Sequence, residues 1–141
     1  MPENPDVYFR VANLQIQSKL PDDALKTMLD AQAPPGLYIQ AALRFANAKY
    51  YRQASSMLDL ASRAGANPDE IALFSSMFKQ ESSKDPLDGL PILDSISPQS
   101  NLYSSAFQQK IRIYLQAKAY SRAHQLARDT RALFPARRAL R

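Results

Sequence analysis

The sequence predicts an all-α fold, an α-α superhelix of antiparallel helix pairs numbering about 3.5 to 4, the third degenerate. Three observations predict it. Within residues 38–68, Tyr38, Ala41, Ala42 and Phe45 follow a helical 3-4 spacing. After a break at residues 49–51, Ala54, Leu58 and Ala61 follow it again. Sliding the chain back by 30 residues carries Tyr38, Ala42, Ala54, Leu58 and Ala61 onto Tyr8, Ala12, Ala24, Met28 and Ala31. Sliding it forward by 69 carries Tyr38, Phe45, Tyr51 and Ala54 onto Phe107, Tyr114, Tyr120 and Ala123. Finally, all ten prolines fall at expected helix boundaries.

The elements follow in order. Pro2 and Pro5 precede a helix expected over 6–19, and Pro21-Asp22-Asp23 opens a second that reaches about residue 32. The acids there sit near the positive end of the helix dipole. Pro34-Pro35-Gly36 ends that pair, and helices are expected over 37–48 and 51–64. Small residues at Ala42 and Ala54 allow close backbone approach, while Gly65 and Pro68 supply a left-handed stop and a helix breaker. A helix is expected over 69–81, then a polar break at Ser82–Pro86. The partner of that helix is expected to be short, starting at Leu90 with Pro91 in its first turn. The last pair is expected over 99–118 and 119–134. Its first helix presents Leu102, Tyr103, Ala106, Phe107, Ile111, Tyr114 and Leu115 as a broad apolar face. Residues 136–141 are read as the start of another helix. The units are thus near 5–34, 35–68, 69–98 and 99–135 of one domain spanning 1–141.

Tyr38-x2-Ala41-Ala42-x2-Phe45 followed by Ala54-x3-Leu58 resembles the tetratricopeptide pattern W-x2-L-G-x2-Y…A-x3-F. The last pair resembles it through Phe107, Ile111, Tyr114, Ala123 and Pro135, with Lys110 and Ala127 as departures. The first does so through Tyr8, Val11, Ala12, Ala24 and Met28, with Gln15 where the family prefers Tyr. A second resemblance competes. Ala54 to Gly65 to Pro68-Asp69 is similar to the end of a pentatricopeptide repeat, and Asn4-Pro5-Asp6 to the start of one; that family reads single-stranded RNA. Ala31 and Ala61 are small where that family carries a larger residue, and Pro135 keeps the tetratricopeptide spacing from Ala123. The first resemblance is therefore preferred. Asn4-Pro5-Asp6 repeats Asn67-Pro68-Asp69, so the chain is read as an excerpt of a longer solenoid. Its terminal helices are then expected to self-associate.

Composition narrows the functional classes. At 45% hydrophobic residues in 141, a packed core is expected rather than disorder. With no cysteine there are no disulfides and no thiolate chemistry. The sequence contains neither a signal-peptide pattern nor an apolar run long enough for a membrane helix, and it does not indicate a compartment. His124, the single histidine, has no companion at a ligand interval. Asp22-Asp23 and Asp69-Glu70 are first-turn acids, and the three glycines form no phosphate loop. These readings predict no enzyme and no cofactor. Residues 118–141 hold seven of the 18 basic side chains and one of the 13 acidic ones, a net of +6. Arg122, Arg128, Arg131, Arg137 and Arg138 form this basic C-terminal patch, suited to an acidic protein, RNA or an anionic surface; solvated cations near a helix C-terminus are the blander reading and the preferred one.

The tetratricopeptide resemblance implies a binding module, a scaffold or assembly factor of the kind found in secretion and export machines. It would hold a peptide or a partner helix in a concave groove lined by the first helix of each pair. Counting from the core aromatics places Phe9 and Asn13, Ile39 and Leu43, Leu73 and Met77, then Gln108 and Arg112 along that groove, with Asn47 and Gln116 one turn further on. The Lys/Asn/Arg clamp some relatives use for carboxylate tails is not matched, because Phe9 and Phe74 stand where Lys and Arg are needed. The expected partner is a protein or peptide, in particular an acidic one, with RNA as the alternative.

Overall fold

The computed structural model describes residues 4–133, with side chains to residue 129. It is all-α: eight α-helices and one short 3-10 helix are present among the described residues, and no strand. The chain gathers into two compact units that divide between Ile71 and Ala72. None of the described helices is long and apolar enough to cross a membrane.

The first unit contains α1 (Pro5–Gln17), α2 (Pro21–Asp30), α3 (Pro35–Asn47) and α4 (Tyr51–Arg63). α1 folds back on α2, α3 on α4, and α3 packs against α1. Its centre is built from alanines: Ala12, Ala24, Ala42 and Ala54 are each at most 1% exposed, so helix backbones approach closely. Met28, Phe45 and Met57, all fully buried, fill the space around them. Positions 30 residues apart are buried alike, as Ala12 with Ala42, Met28 with Leu58, and Ala31 with Ala61.

Polar groups fix the register between the hairpins. The Tyr38 hydroxyl donates to the Ala31 carbonyl (2.6 Å) and accepts from the Ala33 amide (3.3 Å), pinning α3 to the loop after α2. The Gln53 amide donates to Asp22 Oδ1 (3.1 Å), joining α4 to the start of α2. Gln15, where the tetratricopeptide pattern has Tyr, has a use of its own. Its Oε1 lies 2.7 Å from the Thr27 hydroxyl, which is also 3.0 Å from the Asp23 carbonyl and can donate its one proton to either.

Three inter-helix turns are the same structure. Lys19, Lys49 and Lys118 adopt left-handed φ values of 63°, 69° and 61°. Each lysine amide donates three residues back, and the next amide donates five back. At the second turn these bonds are Lys49 to Ala46 (2.9 Å) and Tyr50 to Phe45 (2.9 Å). This is the Schellman arrangement, which consumes the free carbonyls of a helix end. Gly65 ends α4 in the same way at φ 98°, as expected. Asn4 and Asn67 cap α1 and α5 identically, each Oδ1 accepting from the amide two residues on at 2.9 Å.

The second unit takes up α5 (Pro68–Ser82) from Ala72 onward, then the 3-10 helix Pro86–Gly89, α6 (Leu90–Leu93), α7 (Tyr103–Gln116) and α8 (Tyr120–Leu133). The short partner of α5 is thus four 3-10 residues and one α turn, with Pro91 inside that turn as expected. Ala72, Leu93, Ile96, Ala106 and Ile113 form the core. Gly89 comes so close to α5 that a Cβ on it would stand 2.9 Å from the Ser76 carbonyl oxygen. Beside this apolar core lies a buried polar relay. Ser76 Oγ donates to the Gly89 carbonyl (2.8 Å) while Gln109, 1% exposed, donates to Gln80 Oε1 (2.8 Å).

Two expectations for α7 are corrected. It begins at Tyr103, not at residue 99, because serines compete for the backbone before it. Ser97 Oγ accepts from the Gln99 amide and Ser100 Oγ from the Leu102 amide, both at 3.1 Å. Its buried face also differs from the one expected. Ile113 (0% exposed) and Gln109 are core, Ile111 and Tyr114 are only half-buried, and Leu115 is 48% exposed. The helix has been rolled to meet Gly89 and α6. The expected helix over 136–141 lies outside the described residues.

Candidate functional site

The face formed by α1 and α3 carries a concavity. A cavity of about 570 Å³ opens where the last turns of these two helices lie side by side. Ile16 is buried against it, and Tyr50 and Ala48 line it beyond the end of α3. Three amide side chains, Asn13, Gln17 and Asn47, surround it together with Lys19 and Arg44. No carboxylate among the described residues lines it.

Each lining residue is placed there by the local fold. Asn13 and Gln17 are four residues apart on α1, hence on one face, and Arg44 and Asn47 are three apart on α3. Lys19 and Tyr50 arrive through the two equivalent Schellman turns. The hydrogen bonds of those turns occupy the carbonyls of residues 14–16 and 44–46. These bonds satisfy the last carbonyls of both helices, and two cations stand near their negative ends. Neither Lys19 nor Arg44 belongs to an ion pair among the described residues, whereas Arg52 lies 3.9 Å from Asp22 and Lys110 3.9 Å from Asp94. The recess sets two cations and three side-chain amides around the apolar side chains of Ile16 and Ala48.

Two of the groove residues expected from the sequence, Asn13 and Asn47, come together here. Phe9 and Leu43 lie on the same two helices and are half-buried. Ile39 is 8% exposed and belongs to the packing of the unit instead of to an open surface. On α5, Leu73 packs against the core of the second unit, and Met77 is half-buried. The register count that placed Leu73 outside assumed α5 repeats α3; the close approach at Gly89 turns a different face inward. Gln108, Arg112 and Gln116 are exposed on α7, and Gln116 Oε1 accepts a hydrogen bond from the Gln80 amide.

In the basic C-terminal patch, Arg122 and Arg128 are exposed on α8, as is His124. The side chains of Arg131, Arg137 and Arg138 lie outside the described residues. Sequence reasoning missed Gln17, Lys19, Arg44 and Tyr50 as lining residues. A signal was present: lysines 19, 49 and 118 obey the same shifts of 30 and 69 as the core. They mark the turns that bring side chains to the helix ends. Comparison of the chain with protein-family models, curated proteins and solved structures finds no match.

Proposed function

We propose that this chain is a non-catalytic protein-interaction module built on tetratricopeptide-like helical hairpins, a scaffold or assembly factor. It holds a peptide or a partner's helix on the face formed by α1 and α3. The observation that carries this reading is the recess flanked by Asn13, Gln17, Asn47, Lys19 and Arg44, beside the half-buried apolar side chains Phe9 and Leu43. Amides pair with an exposed peptide backbone, and an apolar strip beside them takes alternate side chains. The repetition of core, turn and cap at fixed shifts supports the family reading, since hairpins of this kind bind through surfaces formed by adjacent units.

A titration with single-stranded RNA at two salt concentrations tests this reading against the pentatricopeptide-like alternative. A protein-binding module shows no retained binding at moderate salt. Tight binding with a steep inverse dependence on salt supports an RNA reader instead. Leu43→Ser is the companion variant. It is expected to weaken partner capture while costing less than about 2 kcal/mol of stability, and a larger loss places Leu43 in the core.

A further inference from the structure

We propose that the chain assembles head to tail with copies of itself, the open side of the α1–α2 hairpin in one copy receiving the α7–α8 hairpin of the next. α1 carries Val7, Val11 and Leu14 in a single stripe, and they are 49%, 41% and 63% exposed. Beside the stripe runs a row on α2, Asp23, Thr27 and Asp30, drawn against α1 by the bond between the Thr27 hydroxyl and Gln15. Asp23 and Asp30 are exposed and belong to no ion pair among the described residues. The same side of the second hairpin is closed. Thirty residues on, Leu37 and Ala41 are 8% and 1% exposed, and Gln53 and Met57 are buried. The first hairpin closes it: α3 packs on α1, α4 packs on α2, and Gln53 donates to Asp22. This side of a hairpin is therefore shaped to take another hairpin of the same kind.

The chain supplies the matching surface. The side of α2 that meets α4 holds Asp22, and the shifts of 30 and 69 taken together carry Asp22, Leu25 and Leu29 onto Ser121, His124 and Arg128 of α8. All three are exposed. Tyr120, 61% exposed, shares a face with His124 and Arg128, and Leu115, 48% exposed, lies just across the tight turn at Lys118. One surface is thus apolar and acidic, while the other is apolar and lies in the segment of net +6. That complementarity selects a second copy as the occupant. The internal packing also gives the register. Asp22 meets Gln53, and two turns further along both helices Leu29 and Leu60 correspond to Arg128 and Asp30, so Arg128 of one copy falls beside Asp30 of the next. The two surfaces differ, so the contact is heterologous, and each added copy keeps a free end until a ring closes. Val11 lies about 200° round α1 from Asn13, so this contact and partner capture at the recess use different sides of the helix.

Sedimentation equilibrium of the full chain and two variants provides the test. Val11→Glu blocks the α1–α2 surface and Tyr120→Glu the α7–α8 surface; both positions are exposed, and unchanged circular dichroism and Tm establish that each variant is folded. The wild-type chain is expected to grow beyond a monomer with concentration, about tenfold more weakly at high salt. Each variant alone is expected to stay monomeric. Mixed in equal amounts, they form a 1:1 dimer that grows no further, because each contributes its intact surface. Arg128→Glu weakens assembly about fivefold, and adding Asp30→Lys to the same chain restores it. A wild-type chain that stays monomeric at every concentration overturns the proposal, as do variants that fail to pair when mixed or that assemble as well as wild type. Dimers held by two α1 faces persist in Tyr120→Glu and vanish in Val11→Glu, and that pattern overturns it too.

Discussion

The two units use one turn and one cap but fill their interiors in opposite ways. The first stacks alanine on alanine around Phe45, Met28 and Met57, with the Tyr38 hydroxyl and the Gln53 amide bonded between its helices. The second replaces a whole helix by one 3-10 segment and a single α turn. It closes the resulting space with Gly89, a serine hydroxyl and a glutamine amide. Local chemistry at helix ends is therefore independent of core packing: Lys118 adopts the same turn as Lys49, although the helices it joins bury different faces. The same local code builds both a regular unit and an irregular one. What distinguishes them is the polar contact of Ser76 with Gly89 and of Gln109 with Gln80 in the second.

The contrast can be broken most forcefully at its aromatic positions. Phe45→Ala removes a fully buried ring and is expected to cost about 3–5 kcal/mol. Tyr114→Ala, the equivalent change 69 residues on, removes a half-buried one and is expected to cost about 1–2 kcal/mol. Denaturant titration of both variants checks the pair, and equal losses remove the claim that α7 has been rolled. Next in size is Gly89→Ala. Its methyl meets the Ser76 backbone oxygen at 2.9 Å and Ile113 Cδ1 at 3.1 Å, which predicts a loss of about 1–3 kcal/mol. Gly36→Ala, with open space around the new carbon, has no such contact and is expected to be nearly neutral. The smallest effect is a gain. Lys49→Gly and Lys118→Gly relax the same left-handed turn in the two units and are each expected to add about 0.5–1 kcal/mol, read as parallel rises in Tm.

Much of this was legible in the sequence because it is written in residues with few options. Prolines mark helix starts, Gly65 its left-handed stop, and repeated alanines the crossing points. The candidate site was half legible. Asn13 and Asn47 emerged from the repeat count, but Lys19 and Arg44 did not, because a lysine in a left-handed turn carries no glycine signature. The buried glutamine was illegible for a different reason. Gln109 is core because Ser76 and Gln80 meet it, and they lie 33 and 29 positions away in sequence. Periodicity registers an apolar residue, not a polar one whose partners make it buriable. Leu115, read as core from its hydrophobicity, is left outside by the same roll of α7.

The central claim is that a partner is held on the α1 and α3 face of the first unit. Site-specific photocrosslinking in the cell of origin tests it most directly, with the reactive group placed in turn at Asn13, Leu43 and Asn47. Arg63, exposed at the end of α4, is the control position. The account predicts one protein adduct common to the three face positions, absent at Arg63 and lost when Arg44→Ala is introduced alongside. Adducts at Arg63 alone, identical adducts at all four positions, or nucleic acid as the captured species contradict it.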